Sequence, residues 1–172
     1  DAMRQWVKHA SSKGYRYAIT IDTDGQHFPE DCKIFFETLK NNEGALMIGS
    51  RNLEHENVPG KSTFGRKFSN FWFKIETGKD MPDTQSGFRL YPIFQYKDSI
   101  FFTNKYEFEI EIIVRSAWKN IPIIAVPIQV YYPKKEERVT HFRPFKDFFR
   151  ISLLNTALVF ITFLYIKPRD LI

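Results

Sequence analysis

The sequence predicts an α/β fold: a mostly parallel sheet flanked by helices, followed by an apolar helix that associates with a membrane. Three observations carry this. Amphipathic and short apolar runs alternate in the order helix, strand, helix, strand. The strand-like runs are apolar almost throughout, as expected where a sheet is covered on both faces. Residues 151–166 hold no charge at all. With 172 residues, 43% hydrophobic and 17% aromatic, the chain can bury one substantial core and is too short for two ordinary domains. The expected division is a main portion over 1–150 and an apolar tail over 151–172.

The elements follow in order. Met3, Trp6, Val7 and Ala10 recur at helical spacing, and Lys13-Gly14 stops that helix. Residues 17–21 form a short apolar strand ending at Asp22, with Asp24-Gly25 as the turn behind it. Pro29-Glu30-Asp31 places proline and acids in the first turn of a second helix, whose apolar side is Ile34, Phe35 and Leu39. Residues 45–48 are the next buried strand, ending at Gly49-Ser50-Arg51. Residues 60–65 read as a loop, 64–77 as an aromatic-rich helix and 80–86 as polar turns ahead of Gly87-Phe88-Arg89-Leu90-Tyr91. A helix is expected over 106–119. A strand follows within 121–132, where Pro122 and Pro127 place it at a sheet edge or across a bend.

The charge is 25 Lys and Arg against 20 Asp and Glu, a net +5 concentrated over 134–150. Such a basic stretch suits an anionic partner, whether lipid headgroups, nucleic acid or a phosphorylated substrate, or is a solvated face. Cys32 is the single cysteine, which leaves no intrachain disulfide or Cys-based zinc cage, and the four His show no metal spacing. The start lacks a signal-peptide pattern, so the chain is expected to begin inside a larger protein. The sixteen uncharged residues 151–166 fall short of the roughly 20 needed to cross a bilayer. Preceded by Phe142, Arg143, Phe145, Lys146, Phe148, Phe149 and Arg150, they fit an interfacial anchor, with a buried core helix as the alternative. That apolar neighbour favours lipid over nucleic acid as the partner.

Chemistry concentrates at the strand ends, where loops of α/β folds carry function. Asp22 and Asp24, one residue apart at the tip of a buried strand, are able to converge on one hard cation that holds a diphosphate, and Gln26 adds a neutral oxygen. Three such letters alone equally form a structural turn.

The wider context resolves this. The segment ITIDTDGQHFPED (19–31), then IGSR (48–51), DTQSGFRLYP (83–92), YEFEIEIIVRSAWKNIPIIAVPIQVYYP (106–133) and RVTHFRPFKDFFR (138–150) resemble, in order and approximate spacing, family 2 glycosyltransferases of GT-A type related to dolichol-phosphate mannose synthase and other polyprenyl-phosphate sugar synthases. The resemblance implies a GT-A-like sheet that is incomplete at its N-terminus, because the strands that hold the donor's base and ribose would precede Asp1. The donor nucleotide is therefore not readable from these residues. The resemblance places Asp22, Asp24 and Gln26 at a site for a divalent cation (Mg or Mn) and the donor diphosphate, with Asp24 the direct ligand, and puts Arg138 on that diphosphate. Arg51 and Arg66, with Ser69, would bind the acceptor phosphate. Asp83, with Gln85, Ser86 and Arg89, would line the sugar and acceptor side. The implied partners are a nucleotide-sugar donor, a lipid-linked acceptor and a membrane surface, at its cytoplasmic face, and no nucleic acid. The implied reaction is inverting displacement at the anomeric carbon. A polyprenyl phosphate acceptor, with a second pKa of about 6, needs no strong base, whereas a hydroxyl acceptor does, and Asp83 is then the candidate.

Each residue also has a plainer role: Arg51 and Arg66 as surface charges, Arg89 as a loop brace, Asp83 as a turn cap. Gly25 departs from the apolar residue that dolichol-type synthases carry there. Two other classes stay open. An apolar strand followed by Asp22-Thr23-Asp24-Gly25 also resembles the nucleophile motif of haloacid-dehalogenase-type phosphatases, although Gln26 and His27 replace the usual following residues. A non-catalytic membrane-surface module would use the basic aromatic segment alone.

Overall fold

The computed structural model describes residues 2–51, 60–103, 105–132 and 144–166. Among them are four strands, β1 (Tyr17–Thr20), β2 (Leu46–Arg51), β3 (Arg89–Pro92) and β4 (Ile123–Ile128). Five α-helices accompany them: α1 (Ala2–Ser12), α2 (Cys32–Lys40), α3 (Gly60–Thr77), α4 (Lys105–Trp118) and α5 (Pro144–Ile161). The strands form one sheet in the order β1-β3-β2-β4.

The sheet is mixed, which corrects the expectation of a mostly parallel one. Only β2 and β4 pair in parallel, from Leu46↔Ile123 to Arg51↔Ile128, while β3 is antiparallel to both β1 and β2. The three other strands still point the same way, and β3 runs back between two of them. The cause lies in the preceding loop. Thr20 Oγ1 donates to the Gly87 carbonyl (2.8 Å) and Arg51 grips Asp83 (Nε to Oδ2 2.6 Å), so the chain is held at the C-terminal ends of β1 and β2. A strand entering there has only the reverse direction available.

Both faces of the sheet are covered, as the apolar strands predict. Alternation in β2 sends Leu46 and Ile48 to one side, into a cluster with Val7, Phe73, Tyr91, Phe108, Ile112 and Leu158. Met47 faces the other side, with Phe35, Phe88, Leu90, Val126 and Ile128. Helices α1, α3, α4 and α5 therefore share one layer and α2 the other. Strand β4 is an edge strand, which lets it carry Pro127.

Two further expectations change. Residues 60–65 belong to α3, whose first turns are stabilised by stacking of Phe64 on Phe68 (centroids 6.2 Å apart). Gly65 suits that helix because a Cβ there would lie 3.3 Å from the Gln85 amide. The apolar tail also belongs to a longer helix. It begins at Pro144, passes the charges of Asp147 and Arg150, and continues through a π-helical turn, Thr162–Ile166. The stretch Asp147–Ile166 has 20 residues, long and apolar enough to cross a membrane by length and composition, which corrects the shortfall read from 151–166 alone.

One side of this helix packs on the protein through Asn155, Leu158, Thr162 and Ile166, all buried. The other side exposes Phe149, Leu153, Phe160 and Leu164. At the packed side, Thr162 Oγ1 donates to the Glu76 carbonyl of α3 (2.8 Å) and Trp118 Nε1 of α4 donates to the same oxygen (2.9 Å). The Glu76 side chain beside them is 1% exposed, and its carboxyl oxygens have no hydrogen-bond partner among the described residues. Burial pushes its pKa up to about 8.

Candidate functional site

The site forms where β1 and β2 end and β3 begins. Arg89 pairs with both Thr20 and Ile48, so the loop that follows β1, the last residues of β2 and the loop that precedes β3 meet at one end of the sheet.

The first loop carries Asp22, Asp24 and Gln26. Both aspartates are exposed. Asp24 Oδ1 accepts the Gln26 N–H (3.0 Å), closing an Asx turn. The loop is then tied to the exit of β4: Tyr131 N–H donates to the Gln26 carbonyl (2.8 Å), and Gln129 N–H donates to the buried Asp31 carboxylate (2.7 Å). Asp22 lies against Gly87, where a Cβ would fall 2.5 Å from Oδ1 and 2.7 Å from Cγ. Only the absence of a side chain at 87 lets the carboxylate sit there. The His27 imidazole, ahead of Arg89 and Arg51 and against the effect of burial, holds the Asp22 carboxyl below its usual range.

The second group is Arg51 with Asp83. Nε and Nη2 of Arg51 donate to the two Asp83 oxygens at 2.6 and 3.0 Å, a bidentate pair. The backbone N–H groups of Arg51 (3.3 Å) and Gln85 (3.0 Å) also reach Asp83, which has no solvent exposure. Burial works against the Arg51 charge, but Asp83 outweighs it and keeps the guanidinium above its usual range. Two of its five side-chain N–H groups serve Asp83, and the other three make no hydrogen bond among the described residues. Arg66 arrives from α3 and its Nη1 donates to the Arg51 carbonyl (3.5 Å).

The loop over 82–87 is braced from below. Thr84 Oγ1 bonds Ser69 Oγ and Asn70 Oδ1, each at 2.8 Å, and Asn70 Nδ2 donates to the Pro82 carbonyl (2.9 Å). Arg89, 1% exposed, donates to the carbonyls of Ser86 (2.7 Å), Thr84 (3.0 Å) and Glu109 (2.9 Å). The structure thus brings Asp22, Asp24, Gln26, Arg51, Arg66, Asp83 and the exposed Gln85 to one end of the sheet. It turns Ser86 and Arg89 inward as braces and engages Ser69 with Thr84. Arg138 lies outside the described residues.

Sequence reasoning passed over His27. Its imidazole is 5% exposed, and its Nε2 stands 3.7 Å from Asp22 Oδ2. The available signal was its place in the same short loop, five residues after Asp22.

For a divalent cation, the residues present suit the ion. They supply exposed hard oxygen donors, one of them a carboxylate held ionised, and magnesium-type ions are commonly bound by one or two carboxylates plus substrate phosphates. Among the described residues no three His, Cys, Asp or Glu side chains gather as a preformed cage.

No family model matches the chain, and no solved structure shows a significant match. Among curated proteins it is 28% identical over 160 residues to the UDP-N-acetylglucosamine–dolichyl-phosphate N-acetylglucosaminyltransferase of Methanococcus voltae, covering 89% of this chain and 64% of that protein. It is 29% identical over 119 residues to the uncharacterized protein MJ1222 of Methanocaldococcus jannaschii, covering 66% of this chain and 49% of the relative. The chain therefore spans between about half and two thirds of the length of these relatives. By sequence it is a distant relative of a glycosyltransferase named for dolichyl phosphate.

Proposed function

We propose that this chain is the catalytic portion, over 1–150, of a metal-dependent, inverting GT-A-type glycosyltransferase. It would move a sugar from a nucleotide-diphosphate sugar to a polyprenyl phosphate at a membrane surface, with 151–172 as its membrane-associated tail. The observation that carries this reading is the meeting, at one end of the sheet, of an exposed pair of carboxylates with a guanidinium held in place by a buried acid. One half suits a cation with a diphosphate, and the other suits a second phosphate.

Asp22 and Asp24, with Gln26, would hold the magnesium or manganese ion, which when bound supplies charge to the leaving diphosphate. Asp83 fixes Arg51 so that its remaining N–H groups orient the acceptor phosphate, and Arg66 adds charge beside it. An oxygen of that phosphate bonds to the anomeric carbon as the bond from that carbon to the diphosphate breaks, and the bonding pair leaves with the nucleotide. The acceptor oxygen is already anionic near neutral pH, so no base is required. The geometry of Asp83 supports this acceptor over a hydroxyl, because both of its oxygens are engaged and shielded from solvent. The outward apolar side of α5 supports contact with lipid, and its buried side supports a helix lying along the protein body.

The test is an activity screen of the full-length parent protein with several sugar nucleotides and a polyprenyl phosphate. Asp24→Ala should lower transfer by about 100-fold or more, the scale for losing a group that stabilises a developing charge, with little change in melting temperature. A product formed equally well by the variant would defeat the assignment.

Gly87→Ala gives a second expectation. The new methyl meets the end of the flexible, exposed Asp22 side chain, so the carboxylate turns away while the fold loses under about 1 kcal/mol. Transfer should fall about tenfold or more. Unchanged activity with an unchanged melting temperature would show that the placement of Asp22 is irrelevant.

A further inference from the structure

The Asp22 carboxylate is confined on two sides. On one it occupies the space that a Cβ at Gly87 would fill, and on the other the His27 imidazole approaches to 3.7 Å. The two neighbours differ in freedom. Asp22 has a side chain 55% exposed and its rotamer is open to solvent, whereas His27 is 5% exposed.

His27 is fixed by its surroundings. Its ring stands edge-on to Phe88 (centroids 5.6 Å, 68°), and its backbone bridges Val130 beyond β4. Phe88 itself is stacked on Phe35 of α2 (4.7 Å) inside the core. The imidazole is therefore an extension of the packed core that reaches the site, and it does not follow the loop.

The ring nitrogens face different environments. Nδ1 is buried with no hydrogen-bond partner among the described residues, while Nε2 faces a carboxylate oxygen. A lone pair at Nε2 would repel that oxygen. The proton belongs on Nε2, where closing the gap by less than about 1 Å makes a hydrogen bond to Asp22.

We propose that His27 is a positioning residue, which uses its Nε2–H and the bare Gly87 opposite to hold the Asp22 carboxylate in the orientation that receives a divalent cation. This rests on the cation reading given above. Outer partners that orient a ligating carboxylate typically account for about 10–100-fold in metal affinity.

The experiment measures Mn2+ uptake by the intact chain from the loss of the free-ion paramagnetic resonance signal, alongside imidazole 15N signals recorded without metal. His27→Ala should weaken uptake about tenfold or more. His27→Gln, whose amide nitrogen reaches the Nε2 position, should restore it to within about threefold, and His27→Asn, which reaches only the Nδ1 position, should not. In the metal-free protein Asp22→Ala should shift the His27 Nε2 signal and leave Nδ1 nearly unmoved. A purely structural role would instead give uptake that follows melting temperature, with Gln no better than Asn, and that result overturns the proposal. If the unaltered chain takes up no Mn2+, the cation reading fails. The 15N comparison still decides the contact in that case, and an Nε2 signal indifferent to Asp22→Ala overturns it.

Discussion

Asp83→Ala is expected to destabilise the protein by about 3–5 kcal/mol, the scale for removing one partner of a buried ion pair. Asp83 is fully buried and accepts two N–H groups from the Arg51 side chain and two from the backbone. Its removal strands a guanidinium only 16% exposed, with no other carboxylate paired to it among the described residues. It also frees the loop over 82–87, so Asp22 loses its neighbour Gly87 as well. Activity should disappear even under conditions where the variant remains folded. The measurement is chemical denaturation of Asp83→Ala, Arg51→Ala and the double variant. The two losses should be strongly non-additive, since each single change leaves the other charge unpaired. Simple additivity would mean that the pair contributes nothing as a pair.

Glu76 should produce the second large effect, of the opposite sign. Its folded pKa of about 8 lies above the ordinary value of 4.5. Between those values the folded protein holds a proton that the unfolded chain releases. Stability therefore falls as pH rises through that window and levels off above about pH 8. Below pH 4.5 the penalty is absent. Glu76→Gln, neutral at every pH, should remove a penalty on the order of 4 kcal/mol at pH 8 and flatten the decline from pH 5 to 8. Melting curves of both proteins across pH 4.5 to 9 check this. Parallel curves would show that Glu76 reaches water or a partner. The position at stake is the contact of α3 with the helix carrying Thr162, so loss of tertiary signal should begin in that helix.

The legibility of these features in the sequence differs for a physical reason. Local chemistry was readable. The periodicity of α1, α2 and α4, the tip of β1 at Asp22, and the proline-bearing edge strand β4 all follow from properties of neighbouring residues. The carboxylate pair was readable for the same reason, because two side chains with one residue between them in a turn remain close in any fold. The boundaries of α3 and α5 were less so. α3 starts at Gly60, in a segment that Gly60 and Gly65 mark as loop, and α5 carries its charges at the end that begins the helix.

Pairings across long separations were a different matter. Arg51 and Asp83 stand 32 residues apart, and each taken singly suits a surface charge or a turn cap. Glu76 follows Phe73 by three residues on α3, the same helix face, but its burial is created by α4 and the π-helical turn after α5 arriving over it. His27 acquires a role only through Phe88 behind it and Gly87 opposite.

The sequence by itself determined the order of helices and strands, the covering of both sheet faces and the acidic tip of the first strand, because these depend on hydrophobic period and turn chemistry within a few residues. Tertiary structure alone decided that β3 runs backwards between β1 and β2, that Asp83 meets Arg51, and that a carboxyl is sealed beneath the last helix. Those outcomes depend on which distant surfaces exclude water from one another, and no short window of residues contains both surfaces.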